Sequence, residues 1–266
     1  MPTLTIITIV KDDLAGFIKT VESIISELTP DIEFLIIDSS GGNEIENFVS
    51  NIDETKYKYL YQKASGIYPA MNFGLVEAQG KWLWFLNAGD TKFGPTSLSE
   101  VISSLELSQE LDAIVFPVNH VIYDDLVWST TLPEVNFVNG SLIIDCNHQG
   151  FIARKESILL NGSFDTQYSY AADSKLMDSV ARNGRIHIDH RVISNFQIGG
   201  TSSTNFRRVV EEIAKHRHYE GINEYLESHK KVFFRNQLRL LAIKMISFFP
   251  SNLRPALICL RNNFRA

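Results

Sequence analysis

Leu4-Thr5-Ile6-Ile7-Thr8-Ile9-Val10-Lys11-Asp12-Asp13 is the stretch on which the fold reading turns. Leu4 to Val10 consists of Leu, Ile, Val and Thr alone, and it stops abruptly at three charged residues. A run this short is a buried strand and not a targeting segment. Its lack of polar alternation predicts burial on both faces, the condition of a strand inside a parallel sheet.

Outward from it, one rhythm repeats over the first 120 residues. Phe17, Val21, Ile24, Ile25 and Leu28 follow at helical spacing. A second run, Phe34–Ile37, ends at Asp38 and the turn Ser39-Ser40-Gly41-Gly42. Tyr57–Tyr61 is read as the third strand, and Ile67 to Ala78 as a helix with Pro69 near its start, where a missing N–H costs least. Trp82–Leu86 is the fourth run, closed by Asn87-Ala88-Gly89-Asp90. Leu98, Val101, Ile102 and Leu105 mark another helix, and Ala113–Val118 another strand. Strands alternating with helices give βαβ units, an α/β fold with a mostly parallel central sheet.

From about residue 119 the rhythm changes. Val121–Val127 and Leu142–Ile144 read as strands, with Pro133 and Asn139-Gly140 as turns. A helix over Ala171–Arg182 and a strand over His187–Phe196 follow. The expected organisation is one domain over residues 1–204, made of a half at 1–118 and a mixed sheet appended at 119–204. A helical tail follows at 205–266.

Composition is that of an ordinary globular chain, 44% hydrophobic and 21% charged. Cys146 and Cys259 show neither metal-ligand spacing nor a disulfide framework, so a reducing cytoplasm is expected. No apolar run approaches the roughly 20 residues that span a bilayer. The net charge of −6 conceals a split. Residues 230–266 hold eight Lys or Arg and no acid, so the rest carries 17 basic against 31 acidic residues. An acidic body argues against a nucleic-acid partner.

Ligands of open parallel sheets bind beyond the carboxyl ends of the strands. Asp38 and Asp90 both lie at such ends, and Thr8 lies near a third. Either acid alone could merely cap a turn; both together, each beside a Gly-containing turn, point to a site. Val10 to Gly16 contains no G-x-G-x-x-G, which removes a dinucleotide-binding dehydrogenase, and no G-x-x-x-x-G-K-[ST] phosphate loop occurs. Without a glycine cradle, a diphosphate would need another positive charge. A divalent cation on Asp90 would supply it, since magnesium takes only one or two protein carboxylates beside phosphates and water.

Thr5–Val10, Ile36-Ile37-Asp38-Ser39-Ser40-Gly41, Gly66–Gly74, Phe85–Asp90, His148-Gln149-Gly150-Phe151, Phe164-Asp165, Ala171-Ala172-Asp173 and Gly199-Gly200-Thr201-Ser202 occur in order. Together they resemble family 2 glycosyltransferases of the GT-A fold, particularly those building bacterial O-antigen, capsule or colanic-acid-type polysaccharides, over about residues 3 to 204. The resemblance implies an inverting transfer from a nucleotide-sugar, UDP-linked before GDP-linked, to a lipid-linked saccharide acceptor. It implies a donor nucleotide site at Thr8, Val10, Asp38, Asn72, Asn87 and Asp90, with manganese or magnesium on Asp90. Asp173 is implied as the catalytic base, and His148, Gly199 and Gly200 as contacts to the acceptor or a phosphate. Two departures stand out. The acidic motif reads Asn87-Ala88-Gly89-Asp90, with one carboxylate where many relatives have two or three. Pro69 replaces an Asp that is usual in the Gly66–Gly74 segment, so any donor contact by that Asp is absent.

Read from spacing alone, Asp173 could be an acid favoured at a helix N-terminus. His148 could equally be a satisfied structural histidine, and Trp82 and Trp84 read as core. His187 and His190, on a strand pattern, do not read as a metal pair. In the tail, Lys231, Arg235 and Arg239 fall on one side of a helix crowded elsewhere by Phe233, Phe234, Leu238, Leu241 and Ile243. A basic amphipathic helix suits an anionic membrane surface, which would place the protein peripherally on the inner face of the cell membrane. A helical pair packed on the core is the alternative. A catalytically idle nucleotide-sugar binder and a sugar nucleotidyltransferase are the competing functions.

Overall fold

The structure, a computed structural model, describes residues 1–122, 126–200 and 205–229, and in the tail residues 245, 246, 248, 249, 253–255 and 258. The chain forms two compact units, Met1–Val209 and Val210–Ala266. The first holds a seven-stranded sheet built of β1 (Leu4–Val10), β2 (Ile32–Asp38), β3 (Lys58–Tyr61), β4 (Trp82–Phe85), β6 (Ala113–Val115), β11 (Phe151–Arg154) and β12 (Ile186–Ile188). Across the sheet the order is β12-β6-β11-β4-β1-β2-β3, and only β11 runs antiparallel to its neighbours.

Every residue of Leu4–Val10 is buried. Ile7, Ile9, Leu35, Ile37, Leu83 and Phe85 point into one apolar cluster. Leu4, Ile6, Phe34, Ile36, Trp82 and Trp84 point into another on the opposite face. Helices α3 (Ile67–Glu77) and α6 (Ala172–Asn183) cover the first face, and α1 (Leu14–Ile24), α2 (Glu44–Val49) and α4 (Leu98–Leu107) the second. Gly74 lets α3 close on the sheet, since a Cβ there would lie 2.7 Å from Ile7 Cγ2. Trp82 and Trp84 are core residues: the indole N–H of Trp84 donates to the Gln149 carbonyl, and the Arg154 guanidinium lies over Trp82.

Strands from both sides of residue 118 share the two sheets. β11 and β12 come from beyond it and complete the central sheet, while β5 (Thr91–Lys92) leaves the first half for a second sheet. That sheet has the order β5-β13-β7-β8, where β7 is Val118–Ile122, β8 Leu126–Thr131 and β13 Ser194–Gln197. The expected Ala113–Val118 strand is therefore two strands, broken at Phe116-Pro117, each serving a different sheet. His187–Phe196 divides the same way into β12 and β13, around a turn in which Asp189 accepts from Arg191. Strands β9 (Glu134–Val138) and β10 (Ser141–Asp145) form a separate hairpin, tied to α6 where the buried Asp178 accepts from the Ile144 amide. Helix α5 (Lys155–Leu160) follows β11, and helices α7 (Phe206–His216) and α8 (Ile222–Ser228) lead towards the tail. The tail residues expected to form the basic helix, 231–243, lie outside the described residues.

Candidate functional site

Parallel pairing puts the ends of β1 and β2 side by side, Val10 opposite Asp38. The chain leaving β4 continues along β1, with Leu86 N donating to Ile7 O and Ala88 N to Ile9 O. Asp38 and Asp90 therefore stand at the carboxyl ends of the central strands on either side of β1, as their strand-end positions imply.

Asp38 is buried, and its carboxylate accepts from the Ser40 amide at 2.8 Å and the Tyr59 hydroxyl at 2.8 Å. Burial, and then the Asp38 carboxylate, push the Tyr59 phenol far above its ordinary value, so it stays a donor. Beside this pair opens a cleft of about 450 Å³ lined by Ser40, Gly41, Gly42, Asn43, Glu46, Tyr59 and Tyr61. Thr8 and Val10 serve the frame. The Thr8 hydroxyl is spent on Leu86 O at 2.7 Å, and Val10 lies in the core.

The Asn87–Asp90 turn is fixed from α1. The buried Thr20 hydroxyl accepts from the Gly89 amide and donates to Asp90 O at 2.7 Å, while Gly89 takes a φ of +94°. Asp90 is only 6% exposed. Its Oδ2 accepts from Gln149 Nε2 at 2.8 Å and its Oδ1 from the Gln197 amide at 3.1 Å. Burial raises the Asp90 carboxyl to about 6, against the His148 charge and these hydrogen bonds, which favour the ionised form.

The third part surrounds Asp173, in the first turn of α6. Its Oδ1 accepts from the Tyr68 hydroxyl at 3.0 Å and the Ser174 amide at 2.9 Å, and its Oδ2 faces His148 Nδ1 at 3.0 Å. An ionised carboxylate only accepts, so Nδ1 carries the ring proton on that side. His148 Nε2 lies 3.2 Å from the Asn87 amide nitrogen. One histidine thus joins the acid of α6 to the turn that carries Asp90. Burial alone would raise Asp173, but the hydrogen bond and charge of His148, with the Ser174 and Tyr68 donors, hold it below the usual carboxylate range. Burial likewise opposes charge on His148, yet Asp173 and then Asp90 hold its pKa above the ordinary value.

Asn72, expected at the donor, is directed elsewhere: its amide donates to Phe164 O at 2.7 Å and accepts from Phe164 N at 3.0 Å. Gly199, with φ of +125°, and Gly200 are exposed in the loop after β13, which begins at Gln197 beside Asp90. The sequence reading missed Tyr59, Tyr68, Thr20, Gln149 and Gln197. Tyr68 and Gln149 lie inside the Gly66–Gly74 and His148–Phe151 motifs and could have been read with them, whereas the others carry no local signal.

The sequence profile described as glycosyl transferase family 2 matches residues 5–157, more than half of the chain. The chain belongs to this family. An uncharacterised glycosyltransferase of Mycobacterium tuberculosis is 25% identical over 179 residues, covering 66% of this chain and 68% of that protein. One from Rickettsia prowazekii is 24% identical over 201 residues, covering 70% and 61%. The fold is also that of S. aureus TarS 1-349, with a TM-score of 0.60 at 17% identity over 86% of this chain and 72% of that one. TarS 1-349 in complex with UDP-GlcNAc gives 0.61 at 15% identity, covering 81% and 66%. The resemblance drawn from the ordered motifs is thus right as to family and fold.

GT-A members of glycosyl transferase family 2 typically use a divalent cation. Among the described residues, no three His, Cys, Asp or Glu side chains gather into a metal-holding group. The turn nevertheless fits an ion shared with a diphosphate. Asp90 offers a carboxylate, and the side-chain oxygens of Asn87 and Gln149 beside it are buried with no partner. Such hard oxygens suit magnesium or manganese.

Proposed function

We propose that this family 2 member transfers a sugar, with inversion, from a UDP-linked donor to a lipid-linked saccharide acceptor in bacterial surface polysaccharide synthesis. The observation that carries the reading is the chain Asn87–His148–Asp173, which brings a half-buried, ionised carboxylate within two hydrogen bonds of the Asp90 turn. TarS, whose fold is shared, has been crystallised with UDP and with UDP-GlcNAc, which supports a nucleotide-sugar donor.

The nucleoside enters the cleft beside Asp38 and Tyr59, and its diphosphate lies at the Asn87–Asp90 turn. Asp90 would hold a divalent cation, which when bound offsets the charge gathering on the leaving nucleoside diphosphate. Asp173 takes the proton of the acceptor hydroxyl as the new glycosidic bond forms on the face opposite the leaving group. Its lowered pKa suits this task. The attacking oxygen turns strongly acidic as its bond to the anomeric carbon develops, so a weak base that is always ionised is enough. His148 lies at the seam between donor and acceptor, and Gly199-Gly200 leaves room beside Gln197 for the acceptor. Residues 230–266 rest on an anionic membrane, where a lipid-linked acceptor resides.

The test is ligand-dependent thermal stability with UDP- and GDP-sugars, with and without manganese. A bound donor raises the melting temperature by mass action. UDP-sugars should stabilise the protein more than GDP-sugars, and manganese should enlarge the effect. Stabilisation by no nucleotide-sugar would overturn the assignment.

A further inference from the structure

The Gly66–Gly74 segment reaches the centre of the site through the start of α3. Tyr68 lies in the first turn of α3 and is 4% exposed. Its ring stacks on Phe164 at 6.0 Å between centroids, and Phe164 meets Phe85 edge-on at 5.0 Å. One helical turn along the same face, Asn72 clamps the Phe164 backbone through both its donor and its acceptor. α3 therefore fixes the Phe164 segment and, through the Tyr68 hydroxyl, the Asp173 carboxylate on a different helix.

The geometry points to Tyr68 as a positioning residue of the transfer reaction, one of two arms that hold the proposed base from opposite elements. It rests on Asp173 being the base. A carboxylate has roughly four lone-pair positions. The Tyr68 hydroxyl and the Ser174 amide occupy those of Oδ1, and His148 occupies one of Oδ2. One position on Oδ2 is left for an acceptor hydroxyl, and its direction is set by the two side chains. Lose the phenol, and Oδ1 keeps only its own helix's amide, so the carboxylate can turn about its side-chain bonds and carry Oδ2 away from the acceptor. The groups facing Asp173 are Tyr68 from α3 and His148 from the turn before β11, with Asp90 beyond His148. On its own helix Lys175 is paired with Asp165.

Tyr68→Phe keeps the ring and its stacking and removes only the hydroxyl. UDP release from UDP-hexoses, with a bacterial lipid extract as acceptor, and UDP binding by calorimetry would be measured beside Asp173→Asn. Tyr68→Phe should lower kcat by up to about 100-fold, the order expected when a reacting group is misplaced by about 1 Å. UDP affinity and donor KM should stay within about twofold, a standard that an unfolded variant cannot meet. Loss of one donor to the ionised carboxylate should also move the acid limb of the kcat/KM profile to higher pH. A Tyr68→Phe enzyme with unchanged kcat and acid limb, beside an inactive Asp173→Asn, would overturn the role of Tyr68 alone. An active Asp173→Asn would bring down the base assignment, and this inference with it.

Discussion

Replacing Asp90 by Asn should stabilise the ion-free protein at neutral pH while ending transfer. In the fold the Asp90 carboxyl sits at about 6, against 3.8 in its ordinary state, because burial disfavours its charge. At roughly 1.36 kcal/mol per unit, the shift corresponds to about 3 kcal/mol. The sign follows from proton counts: between those two values the folded state holds a proton that the unfolded state has released. Stability is therefore lost as pH rises from about 4 through 6 and stays low above about 7. An amide at position 90 does not ionise and escapes this loss. The substituted side chain can still accept from the Gln197 amide through its oxygen. Its NH₂ can donate to the Gln149 side-chain oxygen, which has no partner opposite Asp90, once that amide turns over. Denaturant unfolding with chelator present should show the variant ahead by about 1.5 kcal/mol near pH 5 and by about 3 kcal/mol near pH 7.5. A variant less stable than wild type at pH 7.5, or a gap that does not grow with pH, would refute the reasoning.

Asp38→Asn should weaken UDP binding by about tenfold, equal to about 1.4 kcal/mol, because its NH₂ would face the Tyr59 hydroxyl where a carboxylate now accepts. Calorimetry checks this, and an unchanged affinity would remove Asp38 from the nucleoside site. Gly150→Ala should cost at least about 3 kcal/mol in denaturant unfolding, since its Cβ would fall 2.2 Å from the Phe116 carbonyl oxygen, a backbone atom with nowhere to go. The same backbone carries His148 and Gln149, so whatever protein folds should also transfer poorly.

The sheet's first half was legible because Leu4–Val10 and Ile32–Asp38 are buried on both faces, and that condition writes itself as unbroken apolar sequence. The second half hid its pairing. Ala113–Val118 reads as one strand, but Val115 ends opposite Phe151 and Ile188 while Val118 starts opposite Ser194 and Thr131. Nothing local says that one run will feed two sheets. α2 and α5, six residues each, are too short for a helical period to emerge. At the site, Asp38 and Asp90 could be found from strand ends, and Asp173 and His148 from the ordered motifs. The partners that define their chemistry could not. Tyr68 is 105 residues from Asp173 and Gln197 is 107 from Asp90, and only the folded chain brings them together. Asn72 shows the converse, a motif residue whose amide the tertiary structure commits to the Phe164 backbone.

The central claim is that Asp173 activates the acceptor of a nucleotide-sugar transfer. It is tested most directly by UDP release and UDP binding in Asp173→Asn, assayed side by side with wild type. Asparagine keeps the shape and can accept from Tyr68, but it cannot take a proton. The account predicts transfer at least about 100-fold lower, the size of a lost general base, with UDP affinity within about twofold of wild type. Full turnover by Asp173→Asn, or no transfer by either protein despite tight UDP binding, would contradict it.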